Sequence, residues 1–397
     1  MLEWLIIGGG IHGTFLSHAF TAGSHYPRES VRVLDPHPLA LQNWLLSSAN
    51  CGMTYLRSPS SHNLDLDFRG LRRWVRRGPD RHADYIPPYE RPSIDLFNRH
   101  CRAVIDEYEL EQLRIRGVAE LIVPSGAGLR VETDGAPIEA RRVLLSLGRN
   151  DRLRLPSWAE AAMGAAPDRI AHIFMPRFSL SHIDTLSASS GSGEHVVVGA
   201  GIAGAQTALA LWDRLRKPIH LLVRHELKVQ QFDSLPCYLG PKCMEDFARI
   251  KDYNERRALI RESRFPGSVP PDIAENLASA ERNGWIRLVR DQIVDAGLEV
   301  SGALRLHLGS GKTITAESVS LATGFAQGPP RTDLYRSVAH GMGLPVSACG
   351  FPIPDEGLHW GGGVYVSGDL AELELGPTSP NIIGAHNTFR RISRAAA

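Results

Sequence analysis

Short apolar runs that close on glycine punctuate this chain, and two of them open the same succession of elements. Leu5-Ile6-Ile7 runs into Gly8-Gly9-Gly10 and a helix-like stretch, and Val196-Val197-Val198 runs into Gly199-Ala200-Gly201 and another. Both predict a strand, a tight turn and a helix. Each is succeeded by a further strand, at residues 30–35 and 219–224. A second pattern also occurs twice. Residues 128–135 turn back to 142–148, and residues 304–311 turn back to 318–324. Each predicts an antiparallel hairpin whose returning strand is buried and ends in glycine, Gly148 in one half and Gly324 in the other. The small polar run 187–193 reads as a linker between two related halves. A late strand ending in Gly368-Asp369 and a helix-like tail at 381–395 are expected to rejoin the first half, which makes the second an insertion. The expected boundaries are 1–186 and 318–397 for the outer domain and 194–317 for the inserted one.

Both glycine runs complete the spacing GxGxxG. In a βαβ unit the first glycine makes the tight turn, the second lets backbone N–H groups approach a pyrophosphate at the helix N-terminus, and the third lets helix pack on strand. Those roles fall to Gly8, Gly10 and Gly13, with Ile11 and His12 between them, and to Gly199, Gly201 and Gly204, with Ile202 and Ala203. The residue that ends the next strand separates the two fingerprints. Asp35, with Pro36 after it, ends a strand 22 positions beyond Gly13, where a carboxylate accepts ribose hydroxyls. Arg224 ends a strand 20 positions beyond Gly204, where a guanidinium suits a 2′-phosphate. The first half is expected to hold FAD and the second NADPH.

At 397 residues there is chain enough for two domains. Lys+Arg 44 against Asp+Glu 43 gives a net charge of +1, which supplies no bulk attraction to nucleic acid or an anionic membrane. Partners are expected to be small molecules. Three glycines interrupt the apolar stretch 196–212, so it reads as strand, turn and buried helix rather than a membrane span. Five cysteines at irregular spacing make no disulfide framework, and with no secretory signal at the start a reduced cytoplasm is the expected setting. Cys237 and Cys243 read as two separate thiols, and no histidine or cysteine spacing suggests a metal site.

Together these elements resemble the two-dinucleotide-binding flavoproteins. The resemblance implies an α/β fold of two Rossmann-like, three-layer ββα dinucleotide-binding domains, with the NAD(P)H domain inserted into the FAD domain. It also implies that Gly148, Gly368 and Asp369 meet the flavin nucleotide, that Asn381 and Ile382 begin a helix aimed at the flavin pyrimidine edge, and that Gly324 borders NADPH. Within that superfamily, Met53-Thr54-Tyr55-Leu56-Arg57-Ser58, Arg91-Pro92-Ser93 with Phe97, and Ala322-Thr323-Gly324-Phe325 resemble segments of the lysine and ornithine N-hydroxylating monooxygenases.

The resemblance implies that NADPH reduces FAD, that O2 reacts with the reduced flavin, and that one oxygen passes to a neutral amine such as an amino acid side chain. The protein then excludes water and needs no nucleophile of its own. Candidate residues beside the flavin are Arg57, Ser58 and His62, in a polar loop that reads equally as a surface turn. One of the carboxylates of Glu372 and Glu374 is a candidate partner for a cationic substrate. The loop 231–242, with its aromatics and prolines, is a candidate cover for nicotinamide or substrate. Two other functions fit the same motifs: an NAD(P)H:acceptor oxidoreductase without oxygen transfer, and a flavin-binding sensor without turnover.

Overall fold

The computed structural model describes residues 1–23, 26–78, 84–190 and 194–396. β1 (Leu2–Ile7), α1 (Ile11–Ala22) and β2 (Val31–Asp35) form the first fingerprint unit, and β3 (Ile138–Leu145) pairs with β1 on the side away from β2. β4 (Ile170–His172) comes next in the chain. The second unit repeats the first: β5 (Glu194–Val198), α2 (Ile202–Leu215) and β6 (Ile219–Val223), then α3 (Tyr253–Ser263), with β7 (Thr313–Leu321) on the far side of β5. All these pairings are parallel. β8 (Val364–Val366) adds to β3 as β4 adds to β7, again in parallel. The two sheets, of eight and seven strands, therefore share one core order, β8-β3-β1-β2 and β4-β7-β5-β6.

The expected hairpins are present in both halves. Gly128–Thr133 pairs antiparallel with β3, and Leu304–Leu308 pairs antiparallel with β7. Trp4–Ile7 of β1 and Val196–Val198 of β5 read as unbroken apolar runs because a parallel sheet is covered on both faces. On one face of the first sheet Trp4 and Ile6 pack with Phe15, Leu16 and Phe20 of α1; on the other Leu5 and Ile7 pack with Leu145 and Val366. No helix among the described residues is long and apolar enough to cross a membrane.

The last part of the chain does return to the first sheet. β8 pairs with β3, and Ala385 and Ile392 of α4 (Ile382–Ala396) share the core of Phe15 and Phe20. The domain boundaries, however, differ from those expected. Residues 318–321, expected in the outer domain, lie in the strand paired with β5, and β4 at 170–172 also belongs to the second sheet. A fingerprint strand in a parallel sheet needs a neighbour on each side, and β5 takes β7 just as β1 takes β3. Of the expected linker 187–193, residues 187–190 form the last turn of the helix Leu180–Ser190, and 191–193 lie outside the described residues.

Candidate functional site

At both strand ends the backbone has the same construction. Gly8 and Gly199 have φ of 107° and 116°, a region open to glycine, and donate N–H to Leu34 O and Leu222 O, each at 2.9 Å. A Cβ on Gly8 would lie 2.5 Å from Ser146 O, and one on Gly199 2.5 Å from Ala322 O. At the third glycines, a Cβ on Gly13 would lie 2.9 Å from the Gly8 carbonyl carbon, and one on Gly204 2.9 Å from that of Gly199. Each turn therefore brings strand, helix and the neighbouring β3 or β7 end into contact that no side chain allows. Gly10 and Gly201 have no side chain facing the first free N–H groups of α1 and α2, and the helix N-termini stay open. A pyrophosphate fits such a cradle by charge and by donor count.

Asp35 closes the first cradle. Its carboxylate accepts from Gly9 N at 2.6 Å and His37 N at 2.9 Å, with Arg114 Nη2 at 3.4 Å. Pro36 beside it is exposed. In the second cradle Arg224 is exposed at the end of β6, open to a phosphate. Ile11, Ile202 and Ala203 are half-buried on the first helical turns.

The two cradles open onto one seam. The segment leaving β3 crosses the segment leaving β7: Arg154 N donates to Gly324 O at 2.9 Å and Ala326 N to Arg152 O at 2.6 Å. Gly148 is exposed beside this crossing, and Gly324 has φ 74°. Asp369, with the neighbouring Gly368 at φ 62°, is 5% exposed and is ion-paired to Arg149 and Arg152, whose guanidinium groups hold its carboxyl down at about pKa 2 against the cost of burial. Asn381 and Ile382 stand at the N-terminus of α4, as expected, and Asn381 O meets His12 Nε2 at 3.0 Å. Burial lowers His12 to about pKa 4, so its ring is neutral at pH 7.

The candidate loop has distinct fates along its length. Arg57 is a clasp between the two halves: its guanidinium donates to the carbonyls of Gln230 (2.8 Å), Gln231 (3.0 Å) and Phe232 (2.6 Å) and to Ser268 Oγ (2.9 Å). Ser58 is half-buried next to it. His62 is buried, lowered to about pKa 4 by desolvation, and its Nδ1 has no hydrogen-bond partner among the described residues. Arg91, 1% exposed, makes a two-pronged pair with Asp272 at 2.8 and 2.9 Å, a second tie across the seam. Ser93 caps the helix Ile94–Glu107 through Leu96 N.

Two expectations are corrected here. Glu372 and Glu374 do not face a substrate: Arg257 and Arg264 take Glu372, and Arg256 takes Glu374, with the carboxylates 2% and 8% exposed. Two of those three arginines stand on α3, so the acidic run is where the second unit docks. Cys237 and Cys243 are not separate thiols but a disulfide with Cα atoms 5.3 Å apart. The chain turns at Gly240-Pro241 from the short helix Pro236–Leu239 into the helix Pro241–Arg249, which carries one cysteine back to the other.

Sequence reading missed Asp233. Its carboxylate accepts from Asn381 Nδ2 at 3.2 Å, which places an acid of the second unit at the start of α4. The loop 231–242 that contains it drew notice through its aromatics and prolines alone, and Phe232 does pack on Tyr89 at 4.9 Å across the seam.

Twin glycine cradles at the ends of two similar sheets, opening onto one seam, define an α/β fold of two Rossmann-like dinucleotide-binding domains. Residues 5–150 match the family described as FAD-NAD(P)-binding. Over its full length the chain is similar in structure to the ornithine N-hydroxylase of Kutzneria sp. 744, solved with reduced FAD, NADP+ and L-ornithine (TM-score 0.79, 15% identity, 100% of this chain and 98% of that one). It is also similar to the ornithine hydroxylase of Pseudomonas aeruginosa (TM-score 0.77, 18% identity, 100% and 98%). A third similar structure is the cadaverine monooxygenase of Erwinia amylovora, bound to FAD (TM-score 0.72, 14% identity, 99% and 95%). No curated protein matches the chain by sequence.

Proposed function

We propose that this protein is an NADPH- and O2-dependent flavin monooxygenase that hydroxylates the nitrogen of a small amine. The observation that carries the reading is the shared seam: the segments leaving β3 and β7 are crossed by hydrogen bonds between 152–154 and 324–326, which supports a reading in which ligands of the two cradles would meet there. The full-length likeness to proteins described as ornithine and cadaverine hydroxylases supports the same reaction class.

FAD bound here would supply hydride acceptance and oxygen activation. The residues have defined tasks. Gly8, Gly10, Ile11, His12 and Gly13 line the flavin-side pyrophosphate turn, and Asp35 takes the adenosine ribose. Gly148, Gly368 and the α4 N-terminus at Asn381 and Ile382 border the flavin, where the helix dipole favours negative charge on a reduced ring. Gly199, Gly201, Ile202, Ala203 and Gly204 hold the second pyrophosphate, with Arg224 on the 2′-phosphate and Gly324 beside the nicotinamide. The Arg57 clasp and the Phe232–Tyr89 contact tie the two units together across the seam. Ser58 lies on the same loop, and buried His62 supports it.

The test is NADPH consumption by the FAD-loaded protein over a panel of amines, with hydroxylamine and hydrogen peroxide measured together. Hydroxylamine formed in step with NADPH consumed supports monooxygenation. Peroxide alone, with every amine, would identify an oxidoreductase without oxygen transfer.

A further inference from the structure

The two cradles differ at one place. A Cβ on Gly10 would meet nothing within 4 Å, whereas one on Gly201 would stand 3.4 Å from Gly267 Cα. The second cradle thus has a neighbour at its mouth that the first lacks, and that neighbour is a tight turn. Ser268 N donates to Phe265 O at 3.2 Å, Pro266 and Gly267 lie between them, and Gly267 has φ 73°. Proline at the second position and glycine at positive φ in the third are the signature of a type II turn. Gly267 is exposed, and its N–H has no hydrogen-bond partner among the described residues. A Cβ added to it would meet nothing within 4 Å.

The turn lies in a short segment, following α3, that is stitched to the outer domain at residues 264, 268 and 272. Arg264 donates to Pro377 O at 3.0 Å and pairs with Glu372. Ser268 Oγ accepts from Arg57 at 2.9 Å, and Asp272 takes Arg91 at 2.8 and 2.9 Å. The segment is fixed on its own unit as well, since Phe265 N donates to Asp233 O at 2.8 Å and Gln230 N to Val269 O at 2.9 Å. The acids that face Arg57 are Asp233 and Asp272. Asp272 is matched by Arg91, and Asp233 accepts from Asn381. Arg57 itself bonds only carbonyls and a hydroxyl among the described residues, so a cation stands beside the turn.

An amide without a partner, fixed next to Gly201, adds one donor to those of the α2 N-terminus, and an anion gains most from such donors. We infer, resting on the NADPH site proposed above, that the turn Phe265–Ser268 closes the second cradle, with Gly267 N–H donating to the pyrophosphate and Arg57 acting as a positioning residue that holds the turn through Ser268. The part of the nucleotide recognised here is the pyrophosphate, not the adenosine or the nicotinamide. Because the stitches at 264, 268 and 272 all reach the outer domain, docking of the two domains and grip on the second nucleotide are one event.

Equilibrium binding of NADP+ and of adenosine 2′-monophosphate, which has no pyrophosphate, to the FAD-loaded protein tests this without turnover. Gly267→Val forces a β-branched residue to positive φ and should weaken NADP+ by about 10- to 100-fold. Gly267→Asn, a residue that the third position of a type II turn accepts, should bind NADP+ within about threefold of the unaltered protein. Arg57→Ala, which frees the turn without altering it, should weaken NADP+ by about tenfold. All three should keep their FAD and their affinity for adenosine 2′-monophosphate, which separates loss of the turn from misfolding. NADP+ affinity in Gly267→Val equal to that of the unaltered protein would overturn the inference, as would equal weakening of both nucleotides. Hydroxylamine assays on the same samples distinguish the two levels. The expected NADP+ pattern without hydroxylation of any amine would refute the monooxygenase and leave the turn's role standing. Amine hydroxylation with NADP+ affinity indifferent to residue 267 would do the reverse.

Discussion

Substitution of Gly204 by alanine isolates the second cradle from the first. Its added methyl would sit 2.9 Å from the Gly199 carbonyl carbon, and 3.2 Å from the Ala322 side chain. The nearest atom is the Gly199 carbonyl oxygen, which the methyl would overlap outright, so α2 must retreat from β5 by roughly an ångström or more. That retreat moves the N–H groups that face the pyrophosphate. Losing one charge-assisted backbone hydrogen bond costs about 1.5–3 kcal/mol, or about 10- to 100-fold in affinity. Overpacking adds a further loss of stability of about 1–3 kcal/mol. Gly204→Ala should therefore bind NADPH about 10- to 100-fold more weakly while retaining FAD, read by titrating anaerobic flavin reduction against NADPH concentration. Gly13→Ala should show the opposite, loss of FAD itself. If Gly204→Ala keeps its NADPH affinity within twofold, or loses FAD instead, the assignment of the two cradles is wrong.

Other outcomes rest on the same geometry. Glu372→Ala leaves the buried Arg257 without its carboxylate, and breaking such a pair costs about 3–5 kcal/mol, so the thermal unfolding midpoint should fall by about 5 °C or more. Burial holds His12, His62, His100, His172 and His386 at about pKa 4, below the unfolded value of about 6.5. A group with a depressed folded pKa stabilises above its unfolded pKa, so unfolding midpoints should hold above pH 6.5 and drop steadily between pH 6.5 and 4. Asp369 extends the loss below that window, between about pH 4 and 2, and Asp369→Asn should remove this last part in a urea titration against pH. Alkylation of the denatured protein should label three cysteines before reduction and five after, by mass spectrometry.

Legible in the sequence was whatever a local backbone constraint imposes on residue type. Gly8 and Gly199 are visible because a positive φ and contact with Ser146 or Ala322 exclude every side chain. The repeated hairpins were legible for the same reason, through turn residues and alternation. The pairings that cross the chain were not. Glu372 looked free because its partners, Arg257 and Arg264, lie more than 100 residues away on a different unit. Residues 318–321 were given to the wrong domain because hydrophobicity shows a buried strand without showing which sheet buries it. Cys237 and Cys243 looked unrelated because five intervening residues fit a helix as well as a hairpin bend. Asp233 carried no motif, and only its position against Asn381 distinguishes it.

The central claim is that two nucleotides, one of them a flavin, meet at this seam, and the visible absorption spectrum of the purified protein tests it most directly. The protein should be yellow or become so with added FAD, release about one FAD per chain on denaturation, and bleach when NADPH is added without oxygen. A colourless protein that takes up no flavin, or a bound flavin that NADPH leaves oxidised, would contradict the account.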